Sequence, residues 1–387
     1  MRSVRRPALL LAVALAAVAT SGLASARPVP LSGVKSFFWP RAAAPAAAPH
    51  KRAAPVAVPN PAAYQDLLFH GGAIQHVPSV YLIFWGTEWK KGFRTDDGTP
   101  AQTLGLPVGT AVPGKHSYSS AQAIAYITAF FANIGGSKWN GTQTQFCDGA
   151  PIGSTSCEGV AGARFITNPT NMLKGVWIDP SPISDPIVTY GLAENLSHDP
   201  IASEAVKAAA HFGGSHPDAT YFVMTPPGHT ATAYGSVYCA YHSEVTNPGG
   251  HGIRYAFIPY VMEQGSSCAQ YGVNKKPDAF GHGFFDPYSI VAGHEFAEAE
   301  TDPDAFPFQD GWNDYQTSEN GDKCAYFKLQ NIRIGRYYFA IQPLWSNEAN
   351  GGTGGCAVSR GKGKFPVPPA TSALGIQLRL RFASVLA

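Results

Sequence analysis

The chain has 387 residues, 45% hydrophobic and 12% aromatic, enough for a substantial buried core and too apolar for disorder throughout. Charged residues make up only 14% and the net charge is +2, so nothing points to nucleic acid as a partner. Gly (41) and Pro (32) are abundant, which calls for many loops between the elements.

In chain order, residues 1–26 read as a secretory signal. Arg2, Arg5 and Arg6 form a basic start, residues 8–19 an apolar stretch too short for a membrane span, and Ala24-Ser25-Ala26 a cleavage site. The expectation is a secreted, extracellular chain with no membrane segment after cleavage. Residues 27–62 are Ala/Pro-rich and read as a linker or pro-segment, with Lys51-Arg52 as a candidate processing pair. A single globular domain is expected over 63–360, followed by a tail over 361–387.

Within that domain, residues 77–85 (VPSVYLIFW) predict a buried strand. Residues 119–134 predict an amphipathic helix capped by Ser119 or Ser120, with Ile124, Ile127, Phe130, Phe131 and Ile134 at helical spacing. Short strands are expected over 163–167, 220–225 and 253–261, and a helix over 201–212 closed by Gly213-Gly214. Residues 287–301 predict a further helix, with Asp286 as its cap, Pro287 in its first turn and Pro303 as its stop. A strand or hairpin is expected over 332–344. In the tail, Ile376, Leu378, Leu380 and Phe382 alternate at strand spacing. The interleaving of strands and helices predicts a mixed α/β domain, with a twisted mixed sheet, flanking helices and disulfide-bridged loops.

The six cysteines, Cys147, Cys157, Cys239, Cys268, Cys324 and Cys356, agree with secretion. Sequential pairing is expected, because each neighbouring pair closes a modest Gly-rich loop. No C-x-x-C occurs, which disfavours a Cys-based zinc site. Asn140-Gly141-Thr142 and Asn195-Leu196-Ser197 are glycosylation acceptors in a eukaryotic host.

The segment with the most chemistry is Gly293-His294-Glu295-Phe296-Ala297-Glu298-Ala299-Glu300-Thr301-Asp302-Pro303. On a helix, His294 and Glu298 share a face, with Glu295 one step round. This is the layout of a zinc-hydrolase helix, with two ligands four apart and a glutamate placed to take a proton from water on the metal. Glu298 stands where the familiar H-E-x-x-H motif has a second His, and a carboxylate is an acceptable zinc ligand. The catalytic residue is then Glu295 and the cofactor zinc, on a zincin-like active-site helix. The third ligand must come from downstream. Glu319 is preferred on spacing, then Asp304, then Asp322; Asp302 braces the helix end, and His282 lies near enough in sequence to reach the site. His242 reads as a loop residue beside Glu244. The competing reading is a non-metal polar network, since acids on a helix apolar nearly all round need partners. A calcium site built from Asp302, Asp304 and Asp310 lacks EF-hand order. No serine elbow, phosphate loop or dinucleotide fingerprint is present.

Several segments together resemble the exordium-like, or phosphate-induced-protein-1-like, secreted proteins. They are Phe69-His70-Gly71-Gly72 with the strand that follows, Cys239-Ala240-Tyr241-His242, Tyr255-Ala256-Phe257-Ile258, Cys268, the Thr301-Asp302-Pro303 turn and Cys324. Plant members have Asn in place of Asp302 and lack the His-Glu pair, so the chain resembles a microbial branch carrying an HExxE motif. The resemblance implies an extracellular, cell-wall-associated protein. Two functions follow as expectations: a zinc-dependent hydrolase, a metallopeptidase acting on a peptide or protein, or a non-catalytic protein binding cell-wall polysaccharide or a protein partner.

Overall fold

The computed structural model describes residues 36–38, 66–97, 116–188, 199–246, 252–303, 311–314 and 317–368. The leader and the alternating stretch of the tail lie outside these residues, as do Asn195, Asp304 and Asp310.

The centre of the fold is a six-stranded mixed sheet. Its strands are β1 (Ser36–Phe38), β2 (Ser79–Trp85), β3 (Leu173–Asp179), β4 (Ala219–Met224), β5 (Ala240–Thr246) and β6 (Gly252–Ile258), in the spatial order β1-β5-β6-β4-β2-β3. The strands β6, β4, β2 and β3 run parallel, while β1, β5 and β6 pair antiparallel. The mixed α/β class is therefore the observed one. Within the expected linker or pro-segment, Ser36 to Phe38 pair with His242 to Ala240 at the sheet edge. Strands β3 and β5 were not expected; β3 alternates exposed and half-buried positions and lacks a continuous apolar run.

Alternation along each strand divides the core in two, because successive side chains point to opposite faces. Val80, Leu82 and Phe84 of β2, with Phe222 and Met224 of β4, face helices α1 (Ser120–Ile134) and α3 (Asp286–Thr301). Tyr81, Ile83, Tyr221 and Val223 face helix α2 (Pro200–His211), whose alanines allow close packing. Helix α1 starts at an N-cap, Ser119, in a capping box: the Ser119 hydroxyl accepts from Gln122 N, and Gln122 Oε1 accepts from Ser119 N at 2.9 Å. The region over 332–344 forms the hairpin β7 (Gln330–Ile334) and β8 (Tyr337–Ile341), packed on α3.

The disulfides join Cys147 to Cys157, Cys239 to Cys268 and Cys324 to Cys356, in sequential order. They fit an oxidising, extracellular compartment. Among the described residues no helix is long and apolar enough to cross a membrane. Asn140 is fully buried and donates to Glu300 Oε1 at 3.1 Å, so it is no glycan acceptor in the folded chain.

Candidate metal centre

Every residue of α3 is buried. The helix lies between α1, the sheet and the β7–β8 hairpin, so its polar side chains have no route to bulk water along its own surface. Asp286 does not cap it as expected. The N-cap is Phe285, and the Asp286 carboxylate accepts instead from Gly283 N at 2.8 Å and from Asn274 N at 3.0 Å, tying the helix start to the preceding loop. At the other end the Asp302 carboxylate accepts from Gly311 N at 3.0 Å and Asn313 Nδ2 at 2.9 Å. Asp302 thus braces the chain that returns after the helix, and its side chain joins no ligand group.

Among the described residues, two groups of side chains that could hold a metal ion meet at α3, and both use Glu298. The first is His294, Glu298 and Asp322; the second is His242, Glu298 and Glu319, with ligand atoms in each group within 4.8 Å of one another. His294 Nε2 lies 2.9 Å from Glu298 Oε1 and 3.7 Å from Asp322 Oδ1. His242 Nδ1 lies 3.2 Å from Glu295 Oε2 and 3.6 Å from Glu298 Oε2, and its Nε2 lies 3.6 Å from Glu319 Oε1. The helical spacing therefore places His294 and Glu298 together as expected. Glu319 falls beside His242 rather than His294, and it is Asp322 that completes the His294 group. Glu295 sits against His242. His282 is placed elsewhere, between Asp278 Oδ2 at 2.7 Å and the Tyr338 carbonyl at 2.7 Å.

His242 is the residue that the sequence reading misplaced. It lies on β5, between Tyr241 and Ser243, and points to the α3 face because Ala240 does. The alternation of Tyr241 and Val245 against Ala240 and His242 was the available signal.

The donor set fits a metal. His294, Glu295, Glu298 and Glu319 are fully buried and His242 is 2% exposed, whereas the Asp322 side chain is 17% exposed. Burial, and after it the Glu295 charge, pushes the Glu298 carboxyl well above the usual carboxylate range. Burial, then the Glu298 charge, pushes Asp322 up to about 8, and burial lowers His242. Carboxylates crowded this way ionise together only around a cation. Glu298 Oε2 and Asp322 Oδ1 are buried with no hydrogen-bond partner. The 3.7 Å from His294 Nε2 to Asp322 Oδ1 is too long for a hydrogen bond. It is close to the ~3.3 Å edge of a tetrahedron drawn with ~2.0 Å metal bonds.

The loop over 318–324 is held in place from three sides. Asn320 Nδ2 donates to Gln143 Oε1 at 2.9 Å, to the Ala297 carbonyl at 3.0 Å and to Thr301 Oγ1 at 3.1 Å. Asp322 N donates to Glu298 Oε1 at 3.0 Å. The Cys324–Cys356 bridge closes the loop two residues after Asp322, as Cys239–Cys268 anchors the start of β5 three residues before His242. Gln342 Nε2 donates to the Gly321 carbonyl at 2.7 Å and lies 3.1 Å from His294 Nδ1. Because the same amide nitrogen donates to the Gly321 carbonyl, His294 Nδ1 is placed as an acceptor, and an ion on Nε2 would require the ring proton to move to Nδ1 and this amide contact to rearrange.

No family model, no curated protein and no solved structure matches the chain.

Proposed function

We propose that this is a secreted zinc-dependent hydrolase, a metallopeptidase, in which His294, Glu298 and Asp322 hold the ion and Glu295 is the general base. The observation that carries the reading is the convergence of His294 Nε2 and Glu298 Oε1, from one buried helix, with Asp322 Oδ1 from the 318–324 loop. A bound zinc would supply Lewis acidity toward a water and a scissile carbonyl. Glu295 Oε2 lies 3.2 Å from His242 Nδ1, and in this reading Glu295 takes the proton from water. His242 in turn is held by the Asp302 carbonyl, 3.2 Å from its Nε2. The leader and the disulfide pattern support export, and the peptide class of substrate rests on the His294–Glu298 spacing. The test is metal content by mass spectrometry of wild type beside His294→Ala, followed by a peptide-library screen of wild type beside Glu295→Gln. Zinc in wild type, with the ion of the His294 group lost in His294→Ala, and cleavage abolished in a folded, metal-loaded Glu295→Gln, is the expected result. Cleavage retained in Glu295→Gln overturns the mechanism.

One observation favours a second reading. The donors are buried, and only Asp322 of the His294 group is partly exposed, so a scissile bond has little surface from which to reach the ion. In this reading the chain is a non-catalytic extracellular protein of the exordium-like kind, binding wall polysaccharide or a protein partner, with the ion clasping α3 to the 318–324 loop. Chelation then lowers the melting temperature sharply and no peptide is cut in any state.

A further inference from the structure

We propose that the centre is dinuclear: a second divalent transition-metal ion is held by His242, Glu298 and Glu319, and Glu298 bridges the two ions through its two carboxylate oxygens. This rests on the reading of His294, Glu298 and Asp322 as a metal site and extends it.

The two oxygens of Glu298 are already divided between the two groups. Oε1 lies 2.9 Å from His294 Nε2, and Oε2 lies 3.6 Å from His242 Nδ1. Oε2 is buried and accepts no hydrogen bond. A single ion at the His294 group therefore leaves half of this carboxylate facing an imidazole at a distance too long for a hydrogen bond. That distance is near the ~3.3 Å expected between two donors on one tetrahedral ion.

The His242 ring gives an independent argument. Nδ1 faces Glu295 Oε2 at 3.2 Å and Glu298 Oε2 at 3.6 Å; Nε2 faces the Asp302 carbonyl at 3.2 Å and Glu319 Oε1 at 3.6 Å. All four are acceptors. A neutral imidazole has one N–H, so its other nitrogen turns a lone pair toward these oxygens and needs either a protonated carboxyl or a cation there. The Asp302 carbonyl is well placed to take the Nε2 proton. A backbone carbonyl on the distal nitrogen is the usual companion of a metal-ligating His, and it leaves Nδ1, which faces Glu298 Oε2, for the ion; Glu319, which faces Nε2 at 3.6 Å, has to turn toward that side to complete the set. His242 and the acids come from β5, α3 and the 318–324 loop, so the bridge would tie all three together.

The test is stoichiometry on the full secreted chain. Protein stripped with chelator is titrated with zinc chloride, metal is counted by mass spectrometry, and the manganese(II)-loaded form is examined by electron paramagnetic resonance. Wild type is expected to take two zinc ions per chain and to show a spin-coupled manganese signal. Glu319→Gln and His242→Gln are each expected to keep one zinc and lose the coupling, and His294→Gln likewise to keep one. One zinc in wild type, unchanged in Glu319→Gln and abolished in His294→Gln, overturns the second site and leaves the first standing. No zinc in folded wild type overturns both. Should a variant fail to fold by circular dichroism, the wild-type count and coupling decide: one ion with an uncoupled spectrum overturns the proposal.

Discussion

The backbone of Gly321 passes so close to His294 that a methyl group on it would lie 2.7 Å from the ring Nδ1 and 2.8 Å from Glu298 Oε1. Its own conformation, φ −74° and ψ −49°, is one that any residue adopts, so the glycine is required by approach and not by backbone strain. Gly321→Ala is therefore expected to displace His294 or Glu298 while leaving the loop conformation accessible. Zinc affinity should fall on the order of 10–100-fold, as when a ligand's support is removed. A zinc titration checks this; unchanged affinity would show that the ring and the carboxylate are not the donors.

Asn320 joins the ligand loop to α3 and to Gln143 with one amide nitrogen in reach of three acceptors. Asn320→Ala leaves those buried acceptors without their donor and is expected to cost about 2–4 kcal/mol. Denaturant unfolding of the metal-free protein measures it without interference from bound zinc. A loss below about 1 kcal/mol, the scale of a single exposed hydrogen bond, would refute the pinning role.

The bridge between Cys324 and Cys356 spans 32 residues, and replacing both by Ala is expected to cost about 2–5 kcal/mol. Because Asp322 lies two residues from Cys324, zinc affinity should fall as well. The Cys147–Cys157 bridge shares an apolar cluster with Cys324, Cys356, Trp312 and Trp345, but the loop it closes carries none of the proposed ligands. The Cys147→Ala/Cys157→Ala variant is expected to lose stability while keeping zinc affinity. Equal loss of affinity in both double variants would remove the local argument.

Glu204 gives a pH dependence away from the metal centre. It lies on α2 with Lys207 Nζ 3.4 Å from its Oε2, and Lys207 also pairs with Asp179. Burial, and then Asp179, pushes the Glu204 carboxyl from 4.5 up to about 8. A raised folded value means that folding favours the protonated form. This contribution is complete below the ordinary value and is lost as pH rises to about 8. Glu204→Gln removes the dependence, so its melting temperature should gain on wild type as pH rises through that window, by an amount on the order of 1 kcal/mol in stability. A constant difference across the window would contradict the assignment.

Much of the local structure was legible in the chain. Ser119, one of the two expected caps, starts α1, Pro287 and Pro303 bracket α3, and each neighbouring pair of cysteines is the bonded pair. The helical half of the site was legible too, since the spacing of His294, Glu295 and Glu298 is a property of any α-helix. The other half was not. His242 lies 53 residues before Glu295 and reads locally as a loop, because Cys239, Tyr241 and His242 carry no long apolar run. Its facing depends on β5 being paired with β6 and on which face of the sheet α3 covers.

The choice between Glu319 and Asp322 shows the same division. Both carboxylates stand in one short segment at plausible spacing from Glu298, and the chain alone ranked Glu319 first. The tertiary structure sends Asp322 to His294 and Glu319 to His242, because Asn320 and the Cys324–Cys356 bridge hold the intervening turn against α3. Sequence by itself determined what periodicity and capping can encode: which helix carries the chemistry and which of its residues share a face. Only the folded chain decided which distant side chains complete it. Long-range pairing is set by sheet order and packing, and neither is written in the spacing of neighbouring residues.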